Sequence, residues 1–88
     1  MDVIHEQENQ RFVIKHEGHE SELNYRMSGD AMDIYRTFTP PELRGKGMAG
    51  KTTKAALEYA KENNIKVLPT CPYVADYIEK YPEYKNFV

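Results

Sequence analysis

The first half of the chain alternates between apolar and polar positions, which is the pattern of strands with one buried face. A short candidate strand begins at Ile4, and three longer segments follow it: Arg11–His16, Glu20–Met27 and Met32–Thr39. Gly29-Asp30 separates the last two, and glycine in the first position of a two-residue turn favours an antiparallel hairpin. The pattern therefore predicts an antiparallel sheet before residue 40.

The predicted core face is apolar on one strand of the hairpin and includes a charged residue on the other. On Glu20–Met27 it is the odd-numbered face, which carries Leu23, Tyr25 and Met27. On Met32–Thr39 it is the even-numbered face, which carries Met32, Ile34 and Phe38, with Arg36 in register with them. A long side chain near an open end of the sheet can extend to solvent from such a position, and an arginine there can also face a ligand cleft. Both interpretations place Arg36 on the core face.

The second half of the chain is helical in spacing. Pro40-Pro41 ends the last hairpin strand, because proline cannot donate to a strand ladder. From Gly47 to Asn63 apolar and small residues recur at helical spacing, and small residues allow close packing on a sheet. Ile65–Leu68 is a short apolar strand, expected to run parallel to the strand before the helix.

A second helix is predicted from Pro72 up to Pro82. Proline is favoured at the first helical position, which places Cys71 at the N-cap. Its apolar stripe consists of Tyr73, Val74, Tyr77, Ile78 and Tyr81. The predicted fold class is therefore α+β, with a mostly antiparallel mixed sheet and the order β-β-β-β-α-β-α.

Length and charge narrow the classes of function. The 88 residues have room for one domain, 1–88, and the formal net charge of −2 does not favour nucleic-acid binding. No apolar run approaches the roughly 18 residues that span a bilayer, and the first ten residues lack the features of a signal peptide. Cys71 is the single cysteine, which is consistent with a reducing compartment. We therefore expect a cytoplasmic protein without a membrane partner.

Basic residues and glycines concentrate where the alternating pattern changes to the helical one. The cluster comprises Arg44, Gly45, Lys46, Gly47, Gly50 and Lys51. The first N–H groups of a helix lack internal partners, and the helix dipole there favours negative charge. This stretch therefore predicts a site for a phosphorylated ligand.

Two phosphate motifs match this stretch. Gly45 to Thr52 satisfies the P-loop pattern, in which lysine reaches the terminal phosphates and the hydroxyl holds Mg²⁺. A P-loop leaves directly from a buried parallel strand, whereas five residues from Pro40 to Arg44 intervene here, and no later apolar strand ends in an aspartate. The P-loop nucleotide-binding protein is therefore the remote alternative.

The second motif, Arg44-Gly45-Lys46-Gly47-Met48-Ala49, resembles the coenzyme-binding motif of the GNAT superfamily of N-acetyltransferases. Together with Lys66 to Val74 and the Tyr-Pro-Glu-Tyr segment at Tyr81, it resembles the very small, single-domain GNAT-like acetyltransferases over about Tyr25–Val88. The resemblance implies that acetyl-coenzyme A is the cosubstrate. It also implies a coenzyme site, with its pyrophosphate at the loop, formed by Thr39, Arg44, Gly45, Lys46, Gly47, Met48, Ala49 and Gly50.

The resemblance also indicates candidate catalytic residues. Cys71 is implied to lie near the acetyl thioester, where it either forms an acetyl-cysteine or assists direct transfer, and a thiol at a helix N-terminus is a good nucleophile. The alternative is a small buried side chain without chemistry. Tyr73 could protonate the departing thiolate or belong to the core. Arg36 stands where relatives are expected to carry histidine, which affects any base or substrate-binding role.

The prediction is an N-acetyltransferase that acts on an amine of a small molecule or peptide, as a monomer or a homodimer. A non-catalytic coenzyme A binding module is the competing interpretation, because so small a domain shows no obvious acceptor pocket. His16 and His19 flank a turn but lack a second pair of ligands, so no metal site is predicted.

Overall fold

The computed structural model describes residues 2–88. These residues form a five-stranded sheet in the order β1-β2-β3-β4-β5. Its strands are β1 (Ile4–Glu6), β2 (Arg11–His16), β3 (His19–Ser28), β4 (Ala31–Phe38) and β5 (Lys66–Leu68). The helices are α1 (Met48–Glu62) and α2 (Pro72–Lys80), and 3₁₀ turns lie at Gln7–Asn9, Pro41–Leu43 and Pro82–Phe87.

The sheet has the predicted mixed character. Neighbouring strands from β1 to β4 are antiparallel, whereas β5 pairs in parallel with β4 after the crossover through α1. The parallel pairing covers only Ala31–Asp33 against Lys66–Leu68. The α+β class and the element order are confirmed, and Cys71 is the N-cap of α2. No helix within residues 2–88 has the length and hydropathy of a membrane span.

A β-bulge in β4 overturns the prediction for its second half. Asn24 of β3 lies opposite Arg36, but the next residue, Tyr25, lies opposite Ile34, so Tyr35 is an extra residue in β4. One extra residue reverses the side-chain alternation beyond it. Arg36 and Phe38 therefore point away from the core, and the expectation that both occupy the core face is wrong.

Met27 also differs from its predicted position in the core. It is 42% exposed, although it lies on the face that contains buried Leu23 and Tyr25. The pairing of β2 with β3 ends at Asn24, so Met27 has a neighbouring strand on one side only. The alternating pattern identified which face of β3 is buried, but it could not show at which residue that burial ends.

Both helices pack on one face of the sheet and form the main core with it. This core contains Phe12, Leu23, Tyr25, Met32 and Ile34 from the strands, with Ala56, Leu57, Ala60, Val67, Cys71, Val74, Ile78 and Tyr84. The opposite face carries ion pairs, in which Arg11 contacts Glu6 at 2.6 Å and Glu20 at 3.1 Å. Val13, between Arg11 and Lys15 on β2, is fully buried on that face.

His5 lies in an aromatic cluster at the β1 edge of the sheet. Its ring stacks on Phe12 with centroids 4.0 Å apart and meets the edge of Tyr59 at 4.5 Å. Its Nε2 is 2.6 Å from the hydroxyl of Tyr25. Partial burial lowers the pKa of His5 from its usual 6.5, so the folded protein favours the neutral ring.

We expect the protein to lose stability as the pH falls below about 6.5, because the unfolded chain then binds a proton at His5 more readily than the folded one. Thermal unfolding at pH 8 and pH 5.5 measures this loss. The variant His5→Phe keeps the aromatic stack and should show a smaller loss than the wild type. An equal loss in both proteins would show that His5 does not cause it.

Candidate active site

Two buried side chains hold the glycine loop at one end of the sheet. Leu43 precedes the loop, Met48 follows it, and both pack against Ile14 of β2 in a small core separate from the main one. Leu43 is the last residue of the 3₁₀ turn that follows Pro40, and Met48 is the first residue of α1. The loop is therefore fixed at both ends.

At its glycines the loop presents bare backbone to solvent. Gly45 and Gly47 have φ angles of 81° and 74°, in the left-handed region that favours glycine. A Cβ at either position would meet no atom within 4 Å. Gly47 is the N-cap of α1 and supplies no side-chain hydrogen bond, and the first turn carries no acidic residue. The first N–H groups of α1 thus have no side-chain acceptor at this cap.

A cavity of about 220 Å³ lies against this loop. Its lining residues come from the end of β4, the loop, the first turn of α1 and the start of α2: Thr39, Leu43, Arg44, Gly45, Gly47, Met48, Ala49, Gly50 and Tyr73. The structure therefore brings together all the predicted coenzyme residues except Lys46, which is exposed on the loop. It also places Tyr73 on the same cavity.

Hydrogen bonds connect the cavity wall to the sheet. Arg44 donates from Nε to the carbonyl of Thr39 at 3.1 Å. The hydroxyls of Thr39 and Ser21 are 2.8 Å apart. Thr39 reaches Ser21 because the bulge at Tyr35 has turned the odd-numbered residues beyond it toward the core. These bonds hold the strand end and the loop together.

The two candidate catalytic side chains have different surroundings. Cys71 is 6% exposed and does not line the cavity. Its amide donates to the carbonyl of Ile34 at 2.8 Å, and its Sγ is 3.7 Å from Oγ1 of Thr37. Tyr73 is 41% exposed, and its hydroxyl is 3.6 Å from where a Cβ would stand at Gly50.

The protonation state of Tyr73 follows from its position. Burial, and secondly the neighbouring Tyr81, raises the pKa of Tyr73 above its usual 10. The phenol is therefore neutral throughout the physiological range and keeps its proton available. At the cavity wall such a group can donate a hydrogen bond or transfer a proton to a stronger base.

The structure contradicts the P-loop alternative. That motif requires the hydroxyl of Thr52 to hold a metal ion beside the phosphates. Thr52 is fully buried, and its Oγ1 donates to the carbonyl of Ala49 at 3.1 Å. The strand before the loop, β4, also has an antiparallel neighbour in β3.

Arg36 lies outside this cavity, on the ion-pair face of the sheet. Its Nη1 donates to Oδ1 of Asn24 at 2.7 Å, and its guanidinium lies 5.2 Å from the ring centroid of Phe38. Thr37, the next residue, takes the inward position beside Cys71. Leu43 lines the cavity and Thr37 lies beside Cys71, and neither was predicted from the sequence as a candidate site residue. Leu43 could have been recognised from the sequence, because it is an isolated apolar residue between Pro40-Pro41 and the basic loop.

The comparisons with known proteins agree with this geometry. The family model for GCN5-related N-acetyltransferases matches residues 11–87. The protein NATD1 of Gallus gallus is 31% identical over 83 residues, covering 91% of this chain and 76% of its own. NATD1 of Homo sapiens is also 31% identical, with 91% and 74% covered. A GCN5-like protein of Staphylococcus aureus, solved by NMR, superposes with a TM-score of 0.76 at 29% identity, covering 98% of this chain and 85% of its own.

The chain therefore belongs to the GCN5-related N-acetyltransferase family. Its family and its fold make it an acetyltransferase whose acceptor is unidentified. The interpretation as a small GNAT-like domain is confirmed. These relationships favour an enzyme over a non-catalytic coenzyme A binding module.

Two glycine substitutions should change stability in opposite directions. Gly47→Ala forces a Cβ into the left-handed region and should lower the free energy of unfolding by about 1 kcal/mol. Gly50→Ala lies inside α1, where its Cβ would make an ordinary contact with Tyr73, and should raise it by up to about 1 kcal/mol. Urea unfolding of both variants measures the two changes. Equal losses would contradict the assigned backbone conformations.

Proposed function

We propose that the protein transfers an acetyl group from acetyl-coenzyme A to an amine of a small molecule or peptide. The observation that carries the proposal is the cavity formed by the glycine loop, the first turn of α1 and Tyr73. When bound, the coenzyme supplies an acetyl group activated as a thioester. The residues from Arg44 to Ala49 hold its pyrophosphate.

The chemistry of the loop suits a pyrophosphate. Gly45 and Gly47 leave the backbone open to a close approach, and α1 directs its first N–H groups and positive dipole end to the cavity. Lys46 and Lys51 are exposed beside it, and no acidic residue in the first turn opposes them. Positive charge is thus concentrated here in a chain whose net charge is −2.

The gap between β4 and β5 suits the thioester arm. Pairing of these strands ends at Asp33 and Leu68, and the amide of Cys71 makes the next contact, to Ile34. Beyond Ile34, within the described residues, the edge of β4 that faces α2 has no strand partner. An extended arm bearing amide groups can use backbone groups at such an edge. We assign Thr37 and Cys71 to the inner end of this gap.

Tyr73 is our candidate proton donor to the departing thiolate. It reaches the cavity wall next to Gly50, at the start of α1. Its raised pKa keeps the phenol protonated, and a thiolate forming beside it gains a proton from the nearest acid. Cys71, more deeply placed, is assigned to the acetyl end, where it accepts the acetyl group or assists direct transfer.

Thermal unfolding with ligands tests the coenzyme assignment. Acetyl-coenzyme A at about 100 times its dissociation constant should add roughly 2.7 kcal/mol and raise the midpoint on the order of 10 °C. Magnesium-ATP at the same concentration is the control and should have a much smaller effect, because Thr52 cannot reach a metal ion. A shift with magnesium-ATP alone would refute the proposal.

Replacement of Tyr73 tests its role separately from binding. Tyr73→Phe should lower kcat by about 100-fold on an amine that the wild type acetylates, because the proton donor is lost. The affinity for acetyl-coenzyme A should change little. Tyr35→Phe removes a hydroxyl from a similarly exposed tyrosine on β4, away from the cavity, and serves as the control. An unchanged kcat in Tyr73→Phe would show that another group supplies the proton.

A further inference from the structure

The thiol of Cys71 does not cap the helix that begins beside it. Cys71 is the N-cap of α2, yet its side chain makes no hydrogen bond to the backbone of that helix. Pro72, the first helical residue, has no N–H group to offer. The backbone of Cys71 is tied to the sheet, because its amide donates to the carbonyl of Ile34 at 2.8 Å. The sulfur is therefore free to contact a group outside α2.

Thr37 of β4 supplies that contact. Sγ of Cys71 lies 3.7 Å from Oγ1 of Thr37, and either atom can be the donor. Within residues 2–88 this is the one hydrogen bond found for the Cys71 side chain. The residue is only 6% exposed, so the hydroxyl meets a thiol that is largely shielded from water. A hydrogen bond in such surroundings is stronger than the same bond in water.

The strand register selects which hydroxyl reaches the sulfur. Thr37 lies on the core face of β4 because the bulge at Tyr35 has reversed the side-chain alternation. Thr70, directly before Cys71, also carries a hydroxyl, but it donates to Oδ1 of Asp33. The contact of Thr37 with the sulfur therefore follows from tertiary structure and not from closeness in the chain.

We propose that Thr37 is a positioning residue that holds the sulfur of Cys71 toward the acetyl group. A hydroxyl can accept from the thiol and then donate to the ionised sulfur, which is the nucleophilic form of cysteine. As Sγ bonds to the acetyl carbon, the bond from that carbon to the coenzyme sulfur breaks. The proton lost by Cys71 replaces the one that Tyr73 gives to the departing thiolate. The inference rests on the proposed function and adds to it a residue that acts through Cys71.

Alkylation of the folded protein by iodoacetamide tests this role without coenzyme. Cys71 is the single cysteine, so mass spectrometry of the intact chain reports on it alone. Thr37→Val removes the hydroxyl but keeps a branched side chain, and it should slow alkylation roughly tenfold because one hydrogen bond to the ionised sulfur is lost. Thr37→Ser keeps the hydroxyl and should react at close to the wild-type rate. Thr70→Val, the matched control, removes the hydroxyl bonded to Asp33 and should also keep that rate.

The direction of these changes separates positioning from packing. Valine suits a partly buried strand position at least as well as threonine does, whereas serine leaves a small void. A packing role would therefore leave Thr37→Val near the wild-type rate and loosen the structure in Thr37→Ser. Loosened packing exposes Cys71 and speeds its alkylation, so a slower reaction in Thr37→Val cannot result from lost stability.

Steady-state kinetics with an amine that the wild type acetylates provides a second measurement. Thr37→Val should lower kcat roughly tenfold and leave the KM for acetyl-coenzyme A unchanged, because the hydroxyl acts on the sulfur and not on the bound coenzyme. In the Cys71→Ala background the same substitution should have no further effect, since its effects pass through the missing thiol. A full tenfold loss in that background would contradict the proposed role.

The possible outcomes separate this inference from the proposed function. An alkylation rate of Thr37→Val equal to or above that of the wild type would overturn the role of Thr37. An equal slowing in Thr37→Ser or in Thr70→Val would overturn it too, and none of these results would affect coenzyme binding at the loop. Failure of the wild type to bind acetyl-coenzyme A would refute the proposed function, and the role of Thr37 in acetyl transfer with it.

Discussion

The site depends on one extra residue in β4. Side chains of a strand alternate strictly between the two faces of a sheet, so the bulge at Tyr35 exchanges the faces of every residue from Arg36 to Thr39. Thr37 thereby comes beside Cys71, and Thr39 bonds to Ser21 at the wall of the cavity. Without the bulge these hydroxyls would lie on the opposite face, and Arg36 and Phe38 would have to be buried.

A second constraint is the small core that holds the glycine loop. Leu43 and Met48, at the two ends of the loop, both pack against Ile14. The loop is therefore anchored at both ends while its glycines keep an open backbone. An 88-residue chain has little apolar surface to spare, and it uses three buried side chains here to fix a segment that contributes almost nothing to the main core.

The proposed coenzyme surface lies on one side of the molecule, where α1 and α2 approach each other. Tyr73 lines both the cavity at the loop and a smaller hollow along α2, whose other walls are Asp76, Tyr77 and Lys80. The other face of the sheet consists of paired charges centred on Arg11. These pairs are partly buried, with side-chain exposures of 18% for Arg11 and 20% for Glu6, so salt screens them less than it screens fully exposed pairs.

The sequence by itself determined the elements, the mixed sheet and the position of the glycine loop, because periodicity, turn residues and helix caps act over a few neighbouring residues. The family was indicated by the resemblance of the motif from Arg44 to Ala49. The N-cap at Cys71 and the helix beginning after Gly47 belong to this group. Only the tertiary structure decided that Tyr35 bulges, that Leu43 meets Ile14 and that Tyr73, not Cys71, borders the cavity. Each of these depends on strand register or on packing between residues distant in the chain, which local patterns do not encode.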